Sequence, residues 1–213
     1  MQAAETCALR HGHAEALFPM IERVMEAAGL MPTQLDAVAA AIGPGGFTGI
    51  RVGLAAAHGI AIAVGARLVG ISSFAAVAAR SADIGDGSCE SLLVALDSRR
   101  ADLYVQLFKR DRAAPLGAPQ ALLPEQLGDY VERLAAGRLL IAGDAAAAAA
   151  AALGGRVRCA VALDTAPNAQ GVAAAALAQL RSGAAADPVR PFYLRPPDVT
   201  LPKRPPPSPA SLP

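Results

Sequence analysis

At 213 residues, with 54% hydrophobic and 17% charged side chains, the chain can bury a sizeable core and is too apolar to be disordered. Its 19 basic and 18 acidic residues leave a formal charge of +1, which excludes a protein gripping nucleic acid alone through a basic surplus; such a role would lean on a partner. Three scattered cysteines, Cys7, Cys89 and Cys159, form no CxxC, which argues against a disulfide framework or zinc site and predicts a reducing, cytoplasmic setting.

The opening MQAAETCALRHGH is polar and charged early, unlike a secretory signal, and Met1 to Leu9 is only weakly strand-like. From His13 to Ala28 the residues Leu17, Ile21, Val24 and Ala28 form one helical stripe, with Pro19 expected to kink or delay the helix and Gly29 to end it. A buried strand is predicted over Asp36 to Ile42, then a glycine-rich turn, then a helix from Thr48 to Val64. Its apolar stretch, Val52 to Ala66 between two arginines, falls short of the roughly 18 residues of a membrane span and predicts a buried helix with no membrane role. A strand follows from Arg67 to Ile71, and Ser72 or Ser73 caps a helix through Arg80.

The Gly-, Asp- and Ser-rich segment Ser81 to Ser91 reads as an inter-lobe connection, dividing residues 1–85 from 86–195. Leu92 to Leu96 and Leu103 to Phe108 form a hairpin around Asp97-Ser98-Arg99-Arg100-Ala101-Asp102. Helices follow at Pro124 to Ala136, Ala145 to Leu153 and Gln170 to Ser182, with a strand at Leu139 to Ala142. Residues 196–213 form a proline-rich tail. Strands alternating with helices predict an α/β protein with a parallel or mixed sheet. Much of the apolar content is alanine, so the layers should be thin and closely packed.

The most informative segment is GPGGFTGIRVG, Gly43 to Gly53. A strand, glycine-rich turn and helix in that order often presents backbone N–H groups to phosphate. A Walker A loop, however, needs Gly-Lys-Ser/Thr, and here Gly49 is followed by Ile50 and Arg51. The dinucleotide fingerprint GxGxxG fails at Thr48, and no acidic residue follows the next strand. Gly49, Gly53, Ala57 and Ala61 instead recur every fourth residue, a face almost without side chains that suits close backbone approach. Each mid-helix glycine costs about 1 kcal/mol relative to alanine, so that approach should bring a compensating gain.

GPGGFTGIRVGLAAAHGIA, preceded by GHAEALFPMIERVMEAAGL, closely resembles the TsaB (YeaZ) family of tRNA threonylcarbamoyladenosine biosynthesis, whose members carry GPGSFTGLRIG after a helix opening GHSE. ALDSRRADLYVQLF and the closing Tyr193-Leu194-Arg195-Pro196-Pro197 continue the likeness, which covers most of the chain in order. The resemblance implies an ASKHA-type (actin, sugar kinase, Hsp70-like, ribonuclease H-like) two-lobed fold, with its first β-hairpin missing because the LAIDTS-like segment of family members is absent. A misassigned start codon and a real truncation both remain open. It implies a helper subunit of a TsaD-like catalytic subunit that would hold the metal and the adenylate, with ATP and metal in partner subunits and not in this chain. A TsaE-like ATPase partner and the adenylate-forming enzyme TsaC would complete the pathway. Transfer of a threonylcarbamoyl group to the adenine next to the anticodon would be the complex's reaction, with tRNA met only through the complex. The two helices, with His13, Leu17, Gly49, Arg51, Gly53 and Ala57, would contact TsaD, or a second copy in its absence. Gly143-Asp144-Ala145 departs from the family's GDGA.

Other chemistry is thinner. His11 and His13 diverge on a helix, the wrong spacing for a metal, and His58 reads as packed or interfacial. Asp97-Ser98-Arg99-Arg100 could clamp a phosphate but reads first as a solvated hairpin turn. Nothing nominates a catalytic triad, and Lys203-Arg204 is too short a basic cluster for nucleic acid. Two rivals stand beside the helper subunit: an independent ATP-binding enzyme of the sugar-kinase clan, and a truncated homodimer without a pathway role.

Overall fold

The structure, a computed structural model, describes residues 1–7, 12–81, 88–109, 115–135, 137–162, 165–183 and 189–195. Its order is α1 (His13–Ala28), β1 (Ala37–Gly43), α2 (Phe47–Val64), β2 (Arg67–Ser72), α3 (Ser73–Arg80), β3 (Ser91–Asp97), β4 (Leu103–Lys109), β5 (Gln120–Leu122), α4 (Leu127–Leu134), β6 (Leu139–Ala142), α5 (Ala146–Leu153), β7 (Cys159–Val161) and α6 (Ala169–Ser182). Met1 to Cys7 carries no regular structure. His11, Lys203, Arg204 and the proline-rich tail lie outside the described residues.

Local chemistry sets the element ends. Gly29, Gly65, Gly154 and Gly183 close four helices in the left-handed conformation. Ser72 Oγ accepts from the Ala75 amide at 3.0 Å, and Asn168 Oδ1 from the Gly171 amide at 3.0 Å, capping α3 and α6. Pro19 sits inside α1 without ending it.

The strands form two sheets. β1 and β2 run parallel, Ala37 opposite Arg67 and Ala41 opposite Ile71; among the described residues they pair only with each other. The second sheet has the order β5-β4-β3-β6-β7, with β3 antiparallel to β4 and parallel to β6. Along β3 the period of two sorts residues between two apolar faces. Leu93 and Ala95 pack with α4 and α5, against Leu127, Tyr130, Val131, Ala149 and Leu153. Leu92, Val94 and Leu96 pack with Phe74 and Val77 of α3. Burial pushes the Tyr130 phenol above its ordinary value.

α3 is the wedge between the sheets. Phe74, Val77 and Ala78 serve the second sheet, while Ala76 joins Val69, Ile71, Val172 and Ala176 under the first. α6 crosses back to pack on α3, β1 and β2. A Cβ on Gly171 would stand 2.3 Å from the Ala76 carbonyl oxygen, so backbones touch at this crossing. That is the thin layering expected of an alanine-rich chain. Within this chain the face of Gly49 and Gly53 is open: a Cβ on either would meet nothing within 4 Å.

Among the described residues α2 is the one helix with the length and mean hydropathy (1.5) of a membrane span. Arg51 lies within it, and Ile50, Leu54, Ala56, Ala57 and Ala61 are buried.

Candidate functional site

The site lies where α1 and α2 stand over β1. α1 has an apolar stripe yet none of its 16 residues is buried. Leu17, Ile21 and Met25 turn toward β1 and, with Gly49, Gly53, Ala56 and Ala57 of α2, line a groove of about 1130 Å³. A second groove of about 580 Å³ lies between β1 and the α3 and α6 helices. Ala37, Ala39, Ala41 and Ala169 line both, so the grooves meet at β1.

Five of the six residues expected at an interface therefore share one surface: His13, Leu17, Gly49, Gly53 and Ala57 all line the larger groove. Arg51 does not. It turns outward, with its guanidinium carbon 3.8 Å from the Phe47 ring centroid and its Nε donating to the Tyr193 hydroxyl at 3.0 Å. The Phe47 and Tyr193 rings stack with centroids 5.5 Å apart. Sequence reasoning passed over Phe47 and Tyr193. Phe47 stands in the glycine-rich motif and Tyr193 in the closing motif, and nothing local links Arg51 to a tyrosine 142 positions away.

Tyr193 belongs to a strap, residues 189–195, that touches both sheets. The Phe192 amide donates to the Ile42 carbonyl oxygen at 2.8 Å, at the end of β1. Gly43, with φ +109°, is required there because a Cβ would stand 2.8 Å from the Phe192 carbonyl oxygen. His58 Nε2 donates to the Val189 carbonyl oxygen at 3.3 Å, which places His58 on the exposed side of α2 against the strap. At the other end, Arg195 pairs with Asp102 at 3.0 Å, and Asp102 is only 2% exposed.

The turn from Asp97 to Asp102 is held partly by its own hydrogen bonds. Asp97 Oδ1 accepts from the Arg99 amide at 2.7 Å, and Ser98 Oγ donates to the Asp102 carbonyl oxygen at 2.5 Å. The Asp97 amide donates to Asp144 at 2.9 Å, and a Cβ on Gly143 would fall 2.0 Å from the Ala95 carbonyl oxygen. The Gly-Asp pair thus closes the ends of β3 and β6 together. Among the described residues no three His, Cys, Asp or Glu side chains converge as a metal site would require.

The family model described as TsaD, tRNA N6-adenosine threonylcarbamoyltransferase, matches residues 7–118. The tRNA threonylcarbamoyladenosine biosynthesis protein TsaB of Haemophilus influenzae is 32% identical over 100 residues, 47% of this chain and 42% of that protein. Its namesake in Escherichia coli is 30% identical over 99 residues, 46% of this chain and again 42% of the relative. The matched chain thus spans less than half the length of these curated relatives. A solved Pseudomonas aeruginosa structure described as similar to peptidase YEAZ superposes with a TM-score of 0.69 at 25% identity, covering 86% of this chain and 84% of that one.

Proposed function

We infer the function from one premise: the chain belongs to the tRNA N6-adenosine threonylcarbamoyltransferase (TsaD) family and, within it, to TsaB/YeaZ. Its mixed α/β architecture of two sheets is the ASKHA-type fold. On that premise the chain is a non-catalytic subunit of threonylcarbamoyladenosine synthesis. It docks on a TsaD-like catalytic subunit through α1 and α2, holds that subunit in its working form, and meets tRNA through the assembled complex. The transferred group passes to the adenine next to the anticodon on the partner's side of the interface.

The uncovered apolar face of α1 and α2 carries this reading. An amphipathic helix of 16 residues normally buries its stripe, and α1 buries no residue. Phe18 is 52% exposed and Ile62 80% exposed. Covering the area still exposed would contribute about 1–2 kcal/mol for each such side chain. A near-neutral chain also fits a protein partner better than direct contact with nucleic acid.

Mixing the purified chain with the TsaD-like subunit of the same organism tests the reading. Calorimetry and size-exclusion chromatography should show a saturable complex whose formation removes hydrophobic-dye binding from the chain. Two components that elute separately and exchange no heat at tens of micromolar would overturn it.

A further inference from the structure

We propose that Arg51, Phe47 and Tyr193 form an anchor at the edge of the α2 face that receives a carboxylate side chain from the docked protein partner. The proposal rests on the docking reading above and adds to it a residue-level recognition chemistry.

Position comes first. Phe47, Arg51, Ala55, His58 and Ile62 are all exposed and follow one another at helical spacings, so they form one outward stripe of α2. Phe47 also borders the larger groove, which makes the stripe continuous with it.

The arginine is organised in advance. Its guanidinium lies over the Phe47 ring and 6.0 Å from the Tyr193 centroid, while the Tyr193 hydroxyl accepts a hydrogen bond from Nε–H. A guanidinium carries five N–H donors, so this arrangement leaves the terminal nitrogens for a two-pronged acceptor. Among the described residues no carboxylate pairs with Arg51. A long side chain ordinarily loses rotamer freedom on binding; one held between a ring and a hydroxyl has lost much of it already. Tyr193 is itself fixed, because the strap is tied to β1 by the Phe192 amide and to buried Asp102 by Arg195.

Carboxylate and phosphate both fit such a fork, and the surroundings decide between them. Arg51 is the only Lys or Arg in α2, its neighbours on the stripe are Phe47 at 48% exposure and Ala55, and of the strap's two arginines, Arg190 and Arg195, the second is already engaged by Asp102. A nucleic-acid backbone is held by several cations together. A single clamped arginine among exposed aromatic and aliphatic groups is the composition of a protein–protein hot spot. The occupant is therefore an Asp or Glu standing in an apolar patch of the partner protein.

The test is calorimetry of the full chain against the TsaD-like subunit, with thermal melts of each variant. Arg51→Ala should weaken binding about 10- to 100-fold and leave the melting temperature close to that of the wild type. Arg51→Lys, which keeps the charge and much of the stem, should recover little of the loss, since an ammonium neither stacks nor forks. Tyr193→Phe, which removes one oxygen, should weaken binding about 3- to 10-fold. Raised salt should weaken the wild type more than Arg51→Ala. If the wild type binds and all three variants stay within twofold of it, the anchor is wrong and the docking reading stands. If the wild type does not bind, both fall. If Arg51→Ala keeps its protein affinity but loosens tRNA from the assembled complex, the acceptor is a phosphate and the proposal is overturned.

Discussion

One substitution made at two glycines should move stability in opposite directions. At Gly171 an alanine Cβ would lie 2.3 Å from the Ala76 carbonyl oxygen and 2.9 Å from its carbonyl carbon, both rigid helix backbone, so α6 must back away from α3. With backbone on the far side the overpacking cost falls at the upper end of its range, about 2–3 kcal/mol, and the helix preference for alanine returns about 1 kcal/mol. The net loss is about 1–2 kcal/mol, and at this chain length each kcal/mol moves the melting temperature by about 2–4 °C. Gly171→Ala should therefore melt about 2–8 °C below wild type. At Gly53 the new Cβ meets nothing within 4 Å, so only the helix preference acts and Gly53→Ala should melt about 2–4 °C higher. Circular-dichroism melts with parallel urea titrations measure both. A Gly171→Ala protein as stable as wild type, or a Gly53→Ala protein less stable, would refute the reasoning that space at Cβ decides the sign.

Arg195→Ala would leave the buried Asp102 carboxylate without its cation and should cost about 1.5–3 kcal/mol in urea titrations, part of it restored by adding Asp102→Asn. Burial raises the folded Tyr130 pKa above the ordinary 10.0, so the unfolded chain ionises first. Tyr130 should contribute fully to stability below about pH 10 and lose that contribution as pH rises through the folded value; Tyr130→Phe should flatten this decline in urea titrations from about pH 9 to 11.

Element types were legible wherever a periodic apolar pattern ran long enough between glycine or serine punctuation. α1 matches its expected bounds because a stripe of four apolar residues ends at a glycine that can adopt positive φ. The hairpin of β3 and β4 was readable because two apolar runs flank a charged turn. β5 and β7 were not legible: three residues each, at the sheet's edges, they are strands only through the register of β4 and β6. The helix expected from Pro124 to Ala136 instead opens with a 3₁₀ turn at Pro124–Gln126 and ends at Leu134. In the site, helical spacing put Gly49, Gly53 and Ala57 on one face and the family resemblance added His13 and Leu17, and all five line one groove. Spacing could not place Arg51 against Tyr193, because that contact depends on a distant strap returning across two sheets. Nor could it tell which glycine touches a neighbouring backbone: Gly171 and Gly53 look alike in sequence, and only the three-dimensional neighbour distinguishes them.

The central claim is that this chain supports a catalytic partner and performs no transfer itself. Its most direct test is a reconstitution with a TsaD-like subunit, a TsaE-like ATPase, threonylcarbamoyl adenylate and unmodified tRNA, reading modified nucleoside by mass spectrometry with the chain present or omitted. The account predicts threonylcarbamoyladenosine only when the chain is present, and none from the chain with tRNA and adenylate alone. Equal product with the chain omitted, or turnover by the chain alone that a point mutation within it abolishes, would contradict it.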